Sequence, residues 1–175
     1  MPRWFREAQL AALFCALTAV PSVARATLVA DWSLSEVLEN ADSVVVGTVV
    51  EVRLVKDARG VWTETVVAVE RQLKGKVDHR LVVSQIGGVY RGTDSRVVGD
   101  VRFAVGQRRL LATHRNRSGR RFVVGLSLGA FRIEGDRLIQ SIETPLMGPG
   151  GRVQPAPGLR AASLATIESL LGAQR

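Results

Sequence analysis

Residues 41–54, ADSVVVGTVVEVRL, decide how the rest of this chain is organised. Successive side chains of a β-strand point to opposite faces, so even and odd positions carry separate information. The even positions are apolar almost throughout, whereas the odd positions change from Val45 and Val49 to the charged Glu51 and Arg53. This alternation predicts a long strand that is buried on both faces at its start and on one face at its end.

Gly47 interrupts the predicted strand, and a lone glycine in a strand often marks a bulge or a bend. A polar turn at residues 56–60 leads into an alternating second strand, 61–73, and a third strand follows at 80–86. A long first strand that bends at a glycine can serve both halves of a small closed barrel.

The later sequence shows short apolar runs at hairpin spacing. The predicted segments are a short strand at 101–105, a hairpin of 108–113 and 121–128 with its tip at 115–119, and a hairpin of 130–133 and 137–140. The predicted fold is therefore mainly β, and the spacing indicates a small antiparallel barrel or sandwich, of which we expect the closed barrel.

A short helix is predicted at each end of this barrel. Ser33 and Glu36 have the spacing of a capping box for an N-terminal helix at 31–40. Ser163 can cap a C-terminal helix whose leucines and Ile167 share one face. The predicted organisation is a signal peptide at 1–26, a β-barrel domain with its N-terminal helix at 27–143, a Pro/Gly-rich linker at 144–160 and a helix at 161–175.

The first 26 residues have the layout of a secretory signal peptide. A basic start precedes an apolar run at 8–20, and Ala24-Arg25-Ala26 predicts cleavage between Ala26 and Thr27. The apolar run is shorter than the roughly 20 residues of a spanning helix, although an uncleaved anchor is an alternative. Cys15 is the one cysteine, so the mature chain holds none. We expect a secreted or periplasmic bacterial protein with no membrane span after cleavage.

The chain is basic, with 24 lysine and arginine residues against 16 acidic ones. Arginines gather beside His114, and we expect these candidate binding residues to crowd one end of the barrel: Arg108, Arg109, Arg115, Arg117, Arg120 and Arg121. Guanidinium forks suit sulfate, phosphate and carboxylate, so the candidate ligand is an anionic glycan or lipid, and the alternative is a merely solvated turn. Phe122 is the lone aromatic side chain there, which argues against nucleic acid.

Residues 87–101 form a second candidate site. Four glycines punctuate a polar run that holds Tyr90, Arg91 and Arg96. Loops of this length are often functional, and the alternative is a solvated connection. We expect this loop to contact a protein partner.

Catalytic and metal motifs are weak. Residues 125–129 match G-x-S-x-G, but the nucleophile elbow needs a strand-turn-helix context and a later histidine, and none follows His114. Ser127 is therefore predicted to be an ordinary strand residue. His79 and His114 are too few for a zinc site, and no nucleotide motif is present. We predict no catalytic residue, metal or cofactor.

Several short segments, in order and at family spacing, resemble the netrin-like module of tissue inhibitors of metalloproteinases. The matching pieces between residues 34 and 131 are Ala41-Asp42 leading into 44–52, Leu73-Lys74-Gly75, 81–86, Val105-Gly106-Gln107 leading into 110–112, and 122–128. Small secreted bacterial proteins look similar. The resemblance implies a small closed antiparallel barrel of the oligonucleotide/oligosaccharide-binding (OB) type, flanked by helices.

The resemblance does not carry the inhibitor activity. Those inhibitors chelate the protease metal through an N-terminal cysteine, whereas the predicted mature chain begins at Thr27 and lacks cysteine. We therefore predict a monomeric, non-enzymatic binding module that acts on a protein partner through its barrel loops. The alternative is a polyanion binder that uses the arginines at 108–121.

Overall fold

The computed structural model describes residues 28–173 and shows a mainly β protein with a C-terminal helix. The predicted signal peptide, its cleavage site at Ala26 and Thr27, and the last two residues lie outside the described residues. The helices are α1, Leu34–Glu39, and α2, Leu164–Ala173, with a short 3-10 turn at Pro149–Gly151. The strands are β1 Val29–Ala30, β2 Ser43–Asp57, β3 Gly60–Lys74, β4 Arg80–Ile86, β5 Val89–Tyr90, β6 Thr93–Asp94, β7 Arg108–Arg115, β8 Arg121–Val123, β9 Ala130–Glu134, β10 Arg137–Ile142, β11 Leu146–Met147, β12 Val153–Gln154 and β13 Gly158–Ser163.

Strand β2 is an interior strand of the main sheet with a neighbour on each side, as expected for a strand whose start is apolar on both faces. It pairs antiparallel with β3 along its whole length and with β7 over its first six residues. The β2–β3 register shifts at three places, one of them between Val46 and Gly47. A Cβ on Gly47 would lie 2.4 Å from the carbonyl oxygen of Ala68, so the bent strand approaches its neighbour too closely for a side chain. The predicted irregularity at Gly47 is confirmed.

The main sheet runs β13-β10-β9-β7-β2-β3-β4, and β8 pairs with β7 beside this path. β8 also lies close to β4, but no hydrogen-bonded ladder joins these two strands within residues 28–173. The sheet is therefore not closed into a barrel by backbone hydrogen bonds.

Two apolar cores lie on the two faces of β2. Val45 and Val49 pack in one core, enclosed by β3, β4, β7 and β8. Val44 and Val46 pack in the other, beneath the two helices. The sequence prediction that the start of this strand is buried on both faces is confirmed, and it explains why the strand needs apolar side chains at successive positions.

Both helices begin as their sequences predict. The Ser33 Oγ accepts a hydrogen bond from the Glu36 N–H, and the Glu36 carboxylate accepts one from the Ser33 N–H, at 3.3 and 2.7 Å. The Ser163 Oγ accepts the N–H of Thr166 at the start of α2. Ile167 of α2 is fully buried in the core beneath the helices, so α2 packs back on the sheet.

Three loop segments differ from their predicted structure. Residues 101–105 are not a strand, and residues 124–129 form a turn in place of the predicted end of a strand. Residues 144–160 contain β11, β12 and the start of β13, which pairs with β10, although their proline and glycine content favours an irregular linker. β12 and β13 are edge strands, which tolerate such residues because an edge strand needs hydrogen bonds on one side alone.

The 101–105 segment shows why alternation misled the prediction. Val101 and Phe103 do pack on the core of β2–β4, which accounts for the apolar pattern. Four of its backbone groups bond to side chains instead of to a neighbouring strand: the N–H and carbonyl of Val101, the carbonyl of Arg102 and the N–H of Ala104. The Gln85 amide donates to the Val101 carbonyl at 2.7 Å, and the Gln107 amide oxygen accepts from the Ala104 N–H at 3.1 Å.

Candidate functional site

The structure separates the nine candidate binding residues into three groups. Tyr90, Arg91 and Arg96 lie in the loop after β4, as the sequence indicates. Arg108 and Arg109 begin β7, whereas the other four arginines surround its far end. Seven residues of strand span roughly 23 Å, so the two ends of β7 cannot share one surface patch. The prediction that all six arginines crowd one end of the barrel is wrong.

The two arginines at the start of β7 are held by local partners. Arg108 forms an ion pair with Glu70 at 2.7 Å. Arg109 donates to the Gln107 side chain at 2.7 Å and to the Arg102 carbonyl, and it lies 5.8 Å from the Phe103 ring centroid. Burial, with the nearby charge of Arg132, lowers the pKa of Arg109. These contacts fasten the loop before β7, which is a structural role.

A tight hairpin presents Tyr90 in the predicted loop. β5 and β6 pair across Arg91 and Gly92, whose φ angles are +49° and +81°. Positive φ at both central positions is characteristic of a type I′ turn. The Lys56 Nζ and the Arg91 guanidinium lie 5.2 and 5.3 Å from the Tyr90 ring centroid. The ring is therefore oriented by two cations.

Residues 94–102 cover a cleft of about 550 Å³ beside the ends of β3 and β4. This volume lies in the range of small-ligand pockets. Arg96 donates to Asp94 at 2.8 Å, and this contact holds the pKa of Asp94 at about 2. Arg102 also lines the cleft and makes no side-chain ion pair with another described residue. The cleft thus has ordered charge at its rim.

Apolar side chains continue from the cleft into a shallower groove of about 210 Å³. We call the cleft and this groove the loop face. Its exposed apolar side chains are Val52, Leu54, Val89 and Val98, with 38%, 40%, 56% and 69% of their surface accessible. Sequence reasoning missed Val52 and Leu54, because their even positions in residues 41–54 indicate a buried face.

Asp100 sits inside the cleft, and its burial raises its pKa above the ordinary value of 3.8. Hydrogen bonds from Gln85 and from the Val101 N–H oppose this shift without cancelling it. Ionised Asp100 therefore costs the folded state stability. Shifted groups of this kind are frequent in binding sites.

Replacing Asp100 by Asn should stabilise the protein at neutral pH. Asp100 keeps its carboxyl proton to higher pH in the folded state than in the unfolded state. The free energy of unfolding of the wild type therefore falls as the pH rises from 3.8 through the raised pKa of folded Asp100. Asn keeps the oxygen that accepts from Val101 but never ionises. Urea unfolding from pH 3 to 7 should show Asp100→Asn equal to wild type at the acidic end and more stable at pH 7.

The control for this prediction is Asp136→Asn in the exposed turn between β9 and β10. It should follow the wild-type pH profile. A profile for Asp100→Asn that runs parallel to wild type from pH 3 to 7 would contradict the role given to Asp100.

A third cavity, of about 330 Å³, lies between β4 and the β7–β8 hairpin, and we call it the arginine groove. Arg120 binds Asp57 at 2.6 Å and Glu64 at 3.1 Å, and it lies 4.5 Å from the Trp62 ring centroid. Arg115 and Arg121 also line the groove, while Arg117 lies exposed in the hairpin turn. Sequence reasoning missed Arg80, which reaches the groove from β4.

Ser127 lies in a turn between two strands, so its prediction as a strand residue is wrong. Leu126 beside it has a φ of +59°, and Ser127 is nearly buried at one side of the cleft. His114 stacks against Phe122 with a centroid separation of 6.1 Å. Within residues 28–173, no three histidine, cysteine or acidic side chains are grouped to hold a metal ion.

No protein-family model and no curated protein matches this chain. Neither helix within residues 28–173 is long and apolar enough to cross a membrane. Any proposal about function therefore rests on the chemistry of the loop face and of the arginine groove.

Proposed function

We propose that this chain is a secreted or periplasmic, non-enzymatic binding module that holds a protein partner on its loop face. The observation that carries the proposal is the set of exposed apolar side chains around a preformed cleft. The signal-peptide pattern of residues 1–26 and the cysteine-free sequence after it support an exported domain that folds on its core alone.

The finer fold proposed for this module is an OB-like barrel of the netrin type. β2 pairs with both β3 and β7, β3 pairs with β4, and β7 pairs with β8. Since β8 also lies beside β4, these five strands follow a ring around the core that contains Val45 and Val49. Supporting this proposal further, helix α1 leads into β2 as the sequence resemblance implies.

A protein partner suits the loop face better than a small ligand does. Val98 and Val89 line the loop face and are still more than half exposed, so a small ligand in the cavities would leave much of their apolar surface in water. Apolar side chains with a surrounding polar rim are characteristic of the centre of protein interfaces. Arg96, already paired with Asp94, and unpaired Arg102 supply such a rim. The type I′ hairpin keeps the loop ordered, which lowers the entropy lost on binding.

The test is a pull-down from the envelope and medium of the producing cell, with the full chain carrying a C-terminal tag. The double variant Val89→Asp/Val98→Asp should reduce retention of the wild-type partner by at least about tenfold, because it places charge at an apolar contact. Both side chains are exposed, so the fold should survive.

The matched control is Val153→Asp/Leu159→Asp, which changes two similarly exposed apolar side chains, 60% and 71% accessible, outside the loop face. It should retain the partner as wild type does. The proposal fails if no defined protein is retained, or if the control and the loop-face variant lose the partner equally.

The alternative function, binding of an anionic glycan or lipid, was inferred from one arginine patch. Because Arg108 and Arg109 lie at the other end of β7, the remaining basis for it is the arginine groove.

A further inference from the structure

The arginine groove contains a buried guanidinium that has no carboxylate partner. Arg121 is 7% exposed and lines the groove between β4 and β8. One of its terminal nitrogens donates to the Ser43 Oγ at 2.5 Å and to the Thr113 Oγ1 at 3.2 Å. Among the described residues it forms no ion pair. Buried charges are normally paired, since burial without a counter-ion costs free energy.

The acidic groups around Arg121 make no ion pair with it within residues 28–173. Asp42 raises the pKa of Arg121 and so offsets part of its lowering, but the Asp42 carboxylate accepts the backbone N–H of Arg115 at 2.6 Å and makes no hydrogen bond to the guanidinium. Glu64 lines the groove but binds Arg53 and Arg120. Asp78 lies at the groove without an ion pair to Arg121. The other two nitrogens of the Arg121 guanidinium have no hydrogen-bond partner among the described residues, and they are not fully buried, so a ligand in the groove can reach them.

A second arginine stands directly opposite the first. Arg115 and Arg121 are register partners in the β7–β8 ladder, so their side chains leave the same face of the sheet. Burial and the charge of Arg115 lower the pKa of Arg121. Like charges placed opposite each other destabilise a sheet, which makes this pair costly without an anion between them.

The charge of the groove favours a doubly negative ligand. Four arginines line it, Arg80, Arg115, Arg120 and Arg121, against the carboxylates of Glu64 and Asp78, which leaves two positive charges in excess. A volume of about 330 Å³ accepts a phosphate with a small attached group and excludes a folded partner. Arginine forks bind phosphate oxygens with two parallel hydrogen bonds.

We propose that the arginine groove is a phosphate-binding site in which the guanidinium groups of Arg121 and Arg115 grip the phosphate oxygens. Arg121 supplies a fixed fork at the base of the groove, because Ser43 and Thr113 hold one of its nitrogens. Arg115 closes the site from the exposed side. This proposal does not depend on the loop face, which is built by other residues.

The experiment titrates the full chain with inorganic phosphate by calorimetry, and it uses Arg115→Gln as the main variant because Arg115 is exposed. Wild type should bind saturably, and Arg115→Gln should bind about tenfold more weakly, as expected for losing one charged hydrogen-bond donor pair. Arg121→Gln should show no saturable binding. Arg117→Gln removes the same charge from the same hairpin and should stay within about twofold of wild type.

A phosphate-dependent rise in melting temperature provides a second measurement, and it also reports whether Arg121→Gln is folded. If Arg121→Gln is unfolded, the comparison of Arg115→Gln with Arg117→Gln still tests whether the arginine groove binds phosphate. The proposal is overturned if wild type shows no saturation at millimolar phosphate. It is equally overturned if Arg117→Gln loses as much affinity as Arg115→Gln, because diffuse charge would then explain the binding.

Two further titrations identify the source of the phosphate. If the chain binds glycerol 3-phosphate but is not retained on phosphatidylcholine vesicles doped with phosphatidic acid, the ligand is a soluble phosphate ester. If the chain is retained on those vesicles, and if Arg115→Gln weakens the retention while Arg117→Gln does not, the ligand is a lipid headgroup.

Discussion

Gly47→Ala should be among the most destabilising single substitutions in this chain, at about 3 kcal/mol, the upper end for overpacking. The added Cβ would lie 2.4 Å from the Ala68 carbonyl oxygen and 2.7 Å from the Val67 Cγ1. Neither neighbour can move freely, since both belong to β3 and Val67 is fully buried. The substitution must therefore push β2 and β3 apart at the bend. Urea unfolding measures the effect.

Gly172→Ala is the matched control for this prediction. Gly172 lies in α2, and a Cβ there meets no atom within 4 Å. Alanine is favoured over glycine in helices, so this variant should be as stable as wild type or slightly more stable. Equal stability of Gly47→Ala and wild type would show that the bend in β2 does not require glycine.

Ile167→Ala should cost roughly 2–5 kcal/mol, as large-to-small changes in buried cores do. Ile167 is 0% exposed and docks α2 on the core beneath the helices. The neighbouring Glu168 forms an ion pair with Arg71 of β3. This ion pair is too exposed to hold the helix on the sheet by itself. We expect Ile167→Ala to unfold at a lower denaturant concentration than wild type, which would show that α2 unfolds together with the rest of the domain.

Ser169→Ala changes an exposed position of the same helix and should stay within about 0.5 kcal/mol of wild type. An Ile167→Ala protein that unfolds at the wild-type midpoint would mean that α2 is a detachable appendage. Limited proteolysis of the two variants gives an independent comparison, because an undocked helix would be cleaved first.

The first half of the fold was accessible from sequence for local reasons. The alternation of β2, the glycine turn into β3 and the Ser33–Glu36 capping box each involve residues close in sequence, so turn chemistry and side-chain periodicity act directly. β4 has the predicted bounds, Arg80–Ile86. The predictions failed where side chains replaced strand partners, as Gln85 and Gln107 do for residues 101–105.

The candidate sites were predicted less well than the strands. The loop that holds Tyr90 and Arg96 could be recognised from its glycines, but its apolar neighbours Val52 and Leu54 belong to β2. For the arginines, the residue types predicted anion binding, which stays a prediction, and their grouping in space required the length of β7. Sequence proximity placed Arg108 with Arg115, whereas an extended strand separates them by roughly 23 Å.

By itself, the sequence determined that this protein is built on a long bent strand with apolar residues on both faces, and that a helix follows at the C-terminus. Those features depend on side-chain period and capping, which operate within a few residues. The tertiary structure alone decided that Arg121 is buried and that its guanidinium meets Ser43, 78 positions away. The pairing of distant segments decides which face of a strand turns inward and which residues it meets there. For this physical reason the sequence pattern does not reveal the arginine groove.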